Sequence, residues 1–455
     1  MERKPIGSPE QKDSGGPGMT GEQIASLAPR LSALLGKFRH CFEREKNVKH
    51  WETYLLGLMA NLDRKSIEPI ALAAGMSPRT LQEFLAFFRW DEGRAGDTLM
   101  RLVADEHAAP GALGVIDATG HAKHGDKTPG VQRQYCGETG KIDNCVVAQH
   151  LLYTDNDAAN PFGCMLATDL FLPEGWSLDR ERCREAGIPD EVVYRAKYQI
   201  ALDQVRRAVG NGVRLAYVVF DEDYGRIPAF WFGLDDLGQR GIGEVPANFM
   251  VWMRPPRYAS LRKEYGPSRV KDLLRYSPDF YSQPWQTITI RDQTRGPVVW
   301  KVKTARVRLP DRRHLVDGLS VPTDREYWLI VTWNPATDET KYWVSNAPAG
   351  VPLAELLQAA FGRWHVEKWF ERAKQEAGLG AFEVRTYRSL IRHWLSSQIV
   401  MLFLARETER LRGEKSGDHV RAGEPGDEAV GVVDVEPLAL CVLRCDRQEH
   451  VPSVP

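Results

Sequence analysis

The positions of apolar residues divide this 455-residue chain into a helical first part and a longer part in which strands and helices alternate. Between residues 22 and 107, apolar side chains recur at helical spacing, as at Leu31, Leu34 and Leu35. Beyond residue 107, short apolar runs bounded by glycine, proline and charged residues predict buried strands. Glycine, proline and charge dominate residues 1–21 and 413–455, which is typical of flexible segments.

A helix-turn-helix pattern lies within the helical part. A short helix is predicted from residue 67, Gly75 ends it, and Ser77 and Pro78 are typical of the cap and first position of a second helix. The residues that this second helix would present to DNA are Arg79, Thr80 and Gln82. An ordinary helical hairpin explains the same pattern equally well.

Two of the predicted strands lead directly into an aspartate. Asp117 follows the apolar run at residues 113–116, and Asp221 follows the run at residues 213–220. Around them the pattern predicts strands at residues 146–153, 164–172 and 248–253 and helices at residues 190–208 and 227–237. Open α/β sheets place ligand sites at strand ends, so we expect Asp117 near the C-terminal end of its strand. This order of elements predicts a ribonuclease-H-like α/β core.

Basic and aromatic residues alternate between residues 254 and 346, together with β patterns at residues 286–290, 298–308 and 326–333. Cations bind phosphates and aromatic rings stack on bases, so this composition favours contact with nucleic acid. The candidate contacts are Arg254, Arg257, Lys263 and Trp300. Solvated strand faces with basic edge residues give the same pattern, and strand packing is the alternative role for Trp300.

A charged stretch near the C-terminal end has helical spacing. Arg363, Glu367, Glu371 and Lys374 are separated by four, four and three residues, so one helix would place them on one face. A surface helix with ion pairs between successive turns has the same spacing. The functional interpretation therefore depends on the two aspartates earlier in the chain.

The overall composition neither requires a polyanionic partner nor indicates a membrane. The formal net charge is −1, and the seven cysteines include no C-x-x-C pair, which is typical of reduced thiols in a cytoplasmic protein. No apolar run approaches the roughly 20 residues that a membrane-spanning helix needs, so no membrane partner is expected.

With these residues identified, the chain resembles the DDE transposases of bacterial insertion sequences, in the branch that carries a β-rich insertion. The signature of that branch is Y-(2)-R-(3)-E-(6)-K, and Arg363, Glu367 and Lys374 match its last three members. Ala360 stands where the family has tyrosine, which puts the contact of that tyrosine in doubt. The segments that match the family's D-x-T and D-x-x-Y-G motifs are Asp117-Ala-Thr and Asp221-Glu-Asp-Tyr-Gly.

The resemblance implies that Asp117, Asp221 and Glu367 are catalytic and bind two Mg²⁺ ions, for which Mn²⁺ can substitute. Two such ions support in-line phosphoryl transfer, and Arg363 and Lys374 would hold phosphates beside the scissile bond. The implied activity is cutting and joining of double-stranded DNA at terminal inverted repeats and in target DNA, by a homodimer. The alternatives are a domesticated transposase-derived DNA-binding protein and a related nuclease without strand transfer.

These patterns predict five parts of the chain. The parts are a disordered N-terminus at residues 1–21, a helical helix-turn-helix-like DNA-binding domain at 22–107, a ribonuclease-H-like catalytic core at 108–254 and 347–412, a β-rich insertion domain at 255–346, and a flexible tail at 413–455.

Overall fold

Strands from both halves of the chain form a central mixed sheet in the computed structural model of the protein. The structure describes residues 21–157, 161–253, 266–291, 298–316, 319–363 and 365–422. The strands in these residues are β1 (Leu113–Ala122), β2 (Gln132–Cys136), β3 (Lys141–Thr154), β4 (Gly163–Leu170), β5 (Tyr217–Phe220), β6 (Gly241–Val245), β7 (Met250–Val251), β8 (Ser268–Arg269), β9 (Gln286–Arg291), β10 (Val298–Val307), β11 (Pro310–Val316), β12 (Leu319–Pro322), β13 (Tyr327–Asn334) and β14 (Glu339–Ser345). Ten of these described strands join in the order β2-β3-β1-β5-β6-β14-β13-β10-β9, with β4 beside β3.

The centre of the sheet is parallel and its two sides are antiparallel. β5 runs parallel to both β1 and β6, whereas β3 pairs antiparallel with β1, β2 and β4. The predicted α/β class is therefore confirmed. Its assignment as a ribonuclease-H-like core stays a prediction.

The strands predicted as a β-rich insertion extend this central sheet. β14 pairs antiparallel with β6, and β13, β10 and β9 follow outward from it. Two short pairs, β11 with β12 and β7 with β8, lie outside the main sheet. The division of the chain into domains stays a prediction.

Helices cover the sheet and make up the regular structure that the described residues form before β1. The helices in the described residues are α1 (Gly21–Gly36), α2 (Glu45–Met59), α3 (Ile67–Ala73), α4 (Pro78–Ala86), α5 (Glu92–Glu106), α6 (Glu174–Leu178), α7 (Arg180–Glu185), α8 (Lys197–Gly210), α9 (Glu222–Gly225), α10 (Pro228–Asp236), α11 (Val270–Tyr276), α12 (Pro278–Tyr281), α13 (Leu353–Gly362), α14 (His365–Gln375) and α15 (Tyr387–Ala422). The predicted helix pair around Gly75 is confirmed as α3 and α4, although the Ser77 side chain makes no capping hydrogen bond.

Helix α15 packs the N-terminal helices onto the sheet, so that one hydrophobic core runs through both. The Trp51 indole donates to Ser396 Oγ at 3.1 Å, and the Tyr54 hydroxyl lies 2.7 Å from His393 Nδ1. These buried polar contacts join α2 to α15 at fixed positions. None of the helices in the described part of the chain is long and apolar enough to cross a membrane.

Several element boundaries differ from the predicted ones. β3 begins earlier, at Lys141, β5 begins only at Tyr217, and the strand predicted at residues 248–253 is limited to β7. β1 continues to Ala122 because its backbone stays paired with β3, so Asp117 lies mid-strand. α8 begins at Lys197, where the Ala196 N–H donates to the Gln199 side chain, and not at residue 190. α15 continues to Ala422, past the predicted start of the tail. Residues 1–20 and 423–455, which hold the rest of the predicted flexible ends, lie outside the described residues.

Candidate active site

The register of two parallel strands brings Asp117 and Asp221 together. β1 and β5 lie side by side and run in the same direction, with Val115 opposite Val219. Asp117 and Asp221 each follow two residues after these valines. Asp221 follows the last residue of β5 and caps α9, because its Oδ1 accepts a hydrogen bond from the Asp223 N–H at 3.0 Å. The two acids that the sequence marked after apolar runs are therefore neighbours across the parallel centre of the sheet.

Burial and mutual repulsion act on this pair. Burial first, and then the charge of Asp221, raise the pKa of Asp117 from 3.8 to about 6. Burial is also the largest cause that raises the pKa of Asp221. Carboxylates in this situation gain from a nearby positive charge, which favours their ionised forms. The pair is therefore suited to bind a divalent cation through carboxylate oxygens.

Arg363 supplies a positive charge to both acids. Its Nη1 lies 4.0 Å from Asp117 Oδ2. Its charge partly offsets the rise in the pKa of both Asp117 and Asp221. Gly362 fits closely where α13 ends against β1: a Cβ at that position would lie 2.5 Å from Leu113 Cδ1 and 2.7 Å from Asn156 Oδ1, so a larger residue would have to displace these side chains.

A buried amide network holds the backbone at Asp117. Gln149 is fully buried on β3, and its Nε2 donates to the Asp117 carbonyl at 3.0 Å. The Tyr224 hydroxyl donates to Gln149 Oε1, and Gln204 Nε2 donates to the Gln149 carbonyl at 2.9 Å. The sequence reasoning missed Gln149 and Gln204. The only signal was for Gln149: with His150 it forms a polar pair inside a mainly apolar predicted strand, where a buried amide requires partners.

Glu367 is not part of this pair in the structure. The predicted continuous helix is divided: Arg363 is the C-cap of α13, and α14 begins at His365. The Glu367 side chain is exposed, and among the described residues no three His, Cys, Asp or Glu side chains form a group that could hold a metal.

Helix α14 nevertheless packs on the sheet face that carries Asp117. His150 lies opposite Asp117 in the β1–β3 register, so the two side chains share a face. The Phe370 ring of α14 lies 5.0 Å from the His150 ring, edge to face. Glu367, one turn before Phe370, is therefore on a helix that covers this face.

The candidate DNA contacts on α4 are accessible to different degrees. Arg79 and Gln82 are exposed, and Thr80 is half-buried. Arg79 Nε donates to Glu83 Oε1 at 2.8 Å, so a phosphate would compete with this intrahelical ion pair.

The candidate DNA contacts from the second half of the chain differ in how far they are buried. Trp300 is buried, with its ring 5.3 Å from that of Phe361, and therefore packs inside the protein. Lys374 is half-buried on α14. The remaining candidates, Arg254, Arg257 and Lys263, lie outside the described residues.

Comparison with known proteins identifies the family. The sequence profile of the family described as DDE superfamily endonuclease matches residues 37–297, more than half of the chain. The chain belongs to this family. It is also similar to a probable transposase for insertion sequence element IS701 from Microchaete diplosiphon, with 26% identity over 277 residues, which cover 60% of this chain and 67% of that protein.

The DDE family match includes both aspartates of the pair and ends before α13 and α14. It therefore supports the assignment of the chain to transposase-like endonucleases, and it carries no information about Glu367. The predicted family resemblance is confirmed on this basis.

The raised pKa of Asp117 predicts a pH dependence of stability in metal-free protein. Between pH 3.8 and about 6 the folded protein holds a proton on Asp117 that the unfolded chain has released, so stability rises as the pH falls through this window. The full shift corresponds to about 3 kcal/mol of unfolding free energy. Urea denaturation of wild type and Asp117→Asn, at neutral pH and near pH 5, gives the difference in unfolding free energy between the two proteins at each pH. The change in this difference with pH measures the contribution of Asp117. Relative to Asp117→Asn, which carries no charge at this position, the wild type should gain stability between neutral pH and pH 5. An unchanged or lower relative stability of the wild type near pH 5 would contradict the placement of Asp117.

Proposed function

We propose that this DDE endonuclease is an insertion-sequence transposase that cuts and joins double-stranded DNA at element ends by two-metal phosphoryl transfer. The observation that carries the proposal is the pairing of Asp117 and Asp221 at the parallel centre of the sheet, where burial and repulsion favour a bound cation. The similarity to an insertion-sequence transposase supports the choice of substrate.

Asp117, Asp221 and Glu367 are the metal ligands of this proposal. Two Mg²⁺ ions, or Mn²⁺ in their place, would activate a water or a 3′-hydroxyl and stabilise the leaving oxygen. Asp117 would present carboxylate oxygens from β1 and Asp221 from the position directly after β5, and the Gln149 network would fix the backbone beneath Asp117. Glu367 is exposed and apart from the two aspartates in this structure. The proposal therefore requires Glu367 to move next to them when DNA and metal ions bind.

Arg363 and Lys374 hold phosphates in this proposal. Arg363 already lies beside Asp117, where an incoming cation would take over its role as counter-charge and leave the guanidinium available to a phosphate oxygen. Residues Arg79, Thr80 and Gln82 of α4 would contact duplex DNA away from the scissile bond, in a homodimer that brings two ends together.

The proposal is tested on a plasmid that carries the DNA flanking the gene on both sides. We expect the purified chain to nick this plasmid at defined positions with Mg²⁺ or Mn²⁺ and not with EDTA, and to join the cut ends to a second DNA. Binding without any cutting would support the DNA-binding alternative and contradict the proposal. Cutting without joining would reduce the function to that of a nuclease.

A further inference from the structure

A cluster of positively charged side chains lies beside the end of β1, apart from Asp117 and Asp221, which we call the acid pair. A cavity of about 400 Å³ is bounded by the loop before α3, by Lys123 and by the last turn of α14. The charged residues that line it are the cations Arg64, Lys65, Lys123 and Lys374 and the acids Asp63 and Glu383. We call this cavity the basic pocket, since cations outnumber acids in its wall.

Two of the lysines are held in place by uncharged groups. Lys65 Nζ donates to the Glu376 carbonyl at 2.9 Å, and Lys123 Nζ donates to the carbonyls of Gly380 and Phe382 at 2.9 and 2.8 Å. An ammonium has three donors, so Lys65 retains two for a ligand, whereas Lys123 uses two and its Nζ also lies 3.6 Å from the centroid of the Phe382 ring. Carbonyl groups orient these ammonium groups without cancelling their charge, which leaves a positive site at a fixed position.

The other two cations are free to bind a ligand. Within the described residues, neither Arg64 nor Lys374 has a hydrogen bond or an ion pair. Arg64 is exposed at the mouth of the pocket, and Lys374 is half-buried. Burial lowers the pKa of Lys123 to about 8 and also lowers that of Lys65, which shows that nearby acids do not compensate these charges fully.

The basic pocket lies along the sheet face that carries the acid pair. Every second residue of β1 lies on the same face of the sheet, so Asp117, Thr119 and His121 share one face, and Lys123 is the next residue in this series. The Lys123 N–H donates to the Asn144 carbonyl, so the extended geometry continues to this position. Six residues of strand span about 20 Å. That distance spans several nucleotides of one DNA strand, whose phosphates rise about 3.4 Å each along the helix axis.

We propose that the basic pocket binds one backbone phosphate of the DNA substrate, several nucleotides from the phosphate that lies at Asp117 and Asp221. This inference rests on the proposed function, because it takes DNA as the substrate. Arg64 provides the exposed contact, and Lys65 and Lys123 provide the fixed ones, while Lys374 keeps the role proposed above beside the scissile bond. A phosphodiester bound here would fix the direction in which the DNA strand leaves the acid pair.

The salt dependence of DNA binding tests the proposal. A short labelled duplex of mixed sequence is titrated with the full chain in EDTA, at several salt concentrations. Loss of one phosphate contact lowers the slope of log K against log salt by about 0.9. We expect this change for Arg64→Glu, whose exposed side chain makes no described contact, together with roughly tenfold weaker binding at low salt. Arg44→Glu is the matched control, since Arg44 is exposed and does not line the pocket.

An unchanged slope in Arg64→Glu, or an equal change in Arg44→Glu, would overturn the proposal. Lys123→Gln provides a second variant, and we expect the same loss of slope in it. If inorganic phosphate binds the wild type and not Arg64→Glu while the duplex slope stays constant, the pocket is a free-phosphate site and the proposal is wrong. A reduced slope in a chain that never nicks the plasmid would support the pocket and contradict the proposed transposase activity.

Discussion

Replacing either Asp117 or Asp221 by asparagine should abolish DNA cleavage and leave the fold and DNA binding intact. Each substitution keeps the size of the side chain and removes the negative charge that would hold a divalent cation between β1 and β5. Metal ions contribute several kcal/mol to transition-state stabilisation, so the expected loss in rate is about a thousandfold or more. The measurement is the nicking rate of the plasmid with Mg²⁺, alongside duplex binding in EDTA.

Asp223→Asn is the matched control for these variants. It makes the same chemical change two residues from Asp221, at an exposed side chain that pairs with Arg226 at 2.8 Å. Exposed ion pairs contribute little to stability, so this protein should cleave at close to the wild-type rate. Cleavage by Asp117→Asn at a rate similar to that of Asp223→Asn would contradict the assignment of the acid pair.

Replacing Arg392 by methionine should destabilise the protein strongly, because a buried cation with several acceptors is lost. Arg392 is buried in α15, and its guanidinium donates to the carbonyls that end α4 and precede α5. The acceptors are the carbonyl oxygens of Phe84, Leu85, Phe88 and Trp90, at 2.8 to 3.2 Å, and the Glu92 carboxylate. Removing the guanidinium leaves all of these without their partner, at an expected cost of about 3–5 kcal/mol.

The control for this prediction is Arg388→Met, one turn earlier on α15. Arg388 is exposed and its Nε lies 3.6 Å from the same Glu92 carboxylate, so its loss should cost less than about 1 kcal/mol. Urea denaturation of the two variants and the wild type measures both effects. Equal destabilisation by the two substitutions would show that Arg392 does not anchor α4 to α15.

Much of the acid pair could be predicted from local sequence patterns. Apolar runs before Asp117 and Asp221 predicted two strands, and the carboxyl side of parallel strands is where α/β proteins place ligands. What local pattern cannot give is register, and it is the pairing of Val115 with Val219 that makes the two acids neighbours.

The parts that the sequence did not predict depend on contacts between distant residues. The spacing of Arg363 and Glu367 suits one helix, but α13 ends at Gly362, which packs closely on Leu113, and Arg363 is its C-cap. Gln149 and Arg392 resemble ordinary polar positions in the sequence, because their partners come from other elements of the chain. Helical spacing alone therefore placed Arg363 on the wrong helix, although it identified a residue that reaches the acid pair.

The most direct test of the central claim is a titration with Mn²⁺ followed by electron paramagnetic resonance, on wild type, Asp117→Asn, Asp221→Asn and Asp223→Asn. We predict that the wild type and Asp223→Asn bind Mn²⁺ at a site that both other variants lose, because carboxylates from β1 and β5 act together as its ligands. Equal Mn²⁺ binding in all four proteins would contradict the account, since the paired aspartates would then not be the metal ligands.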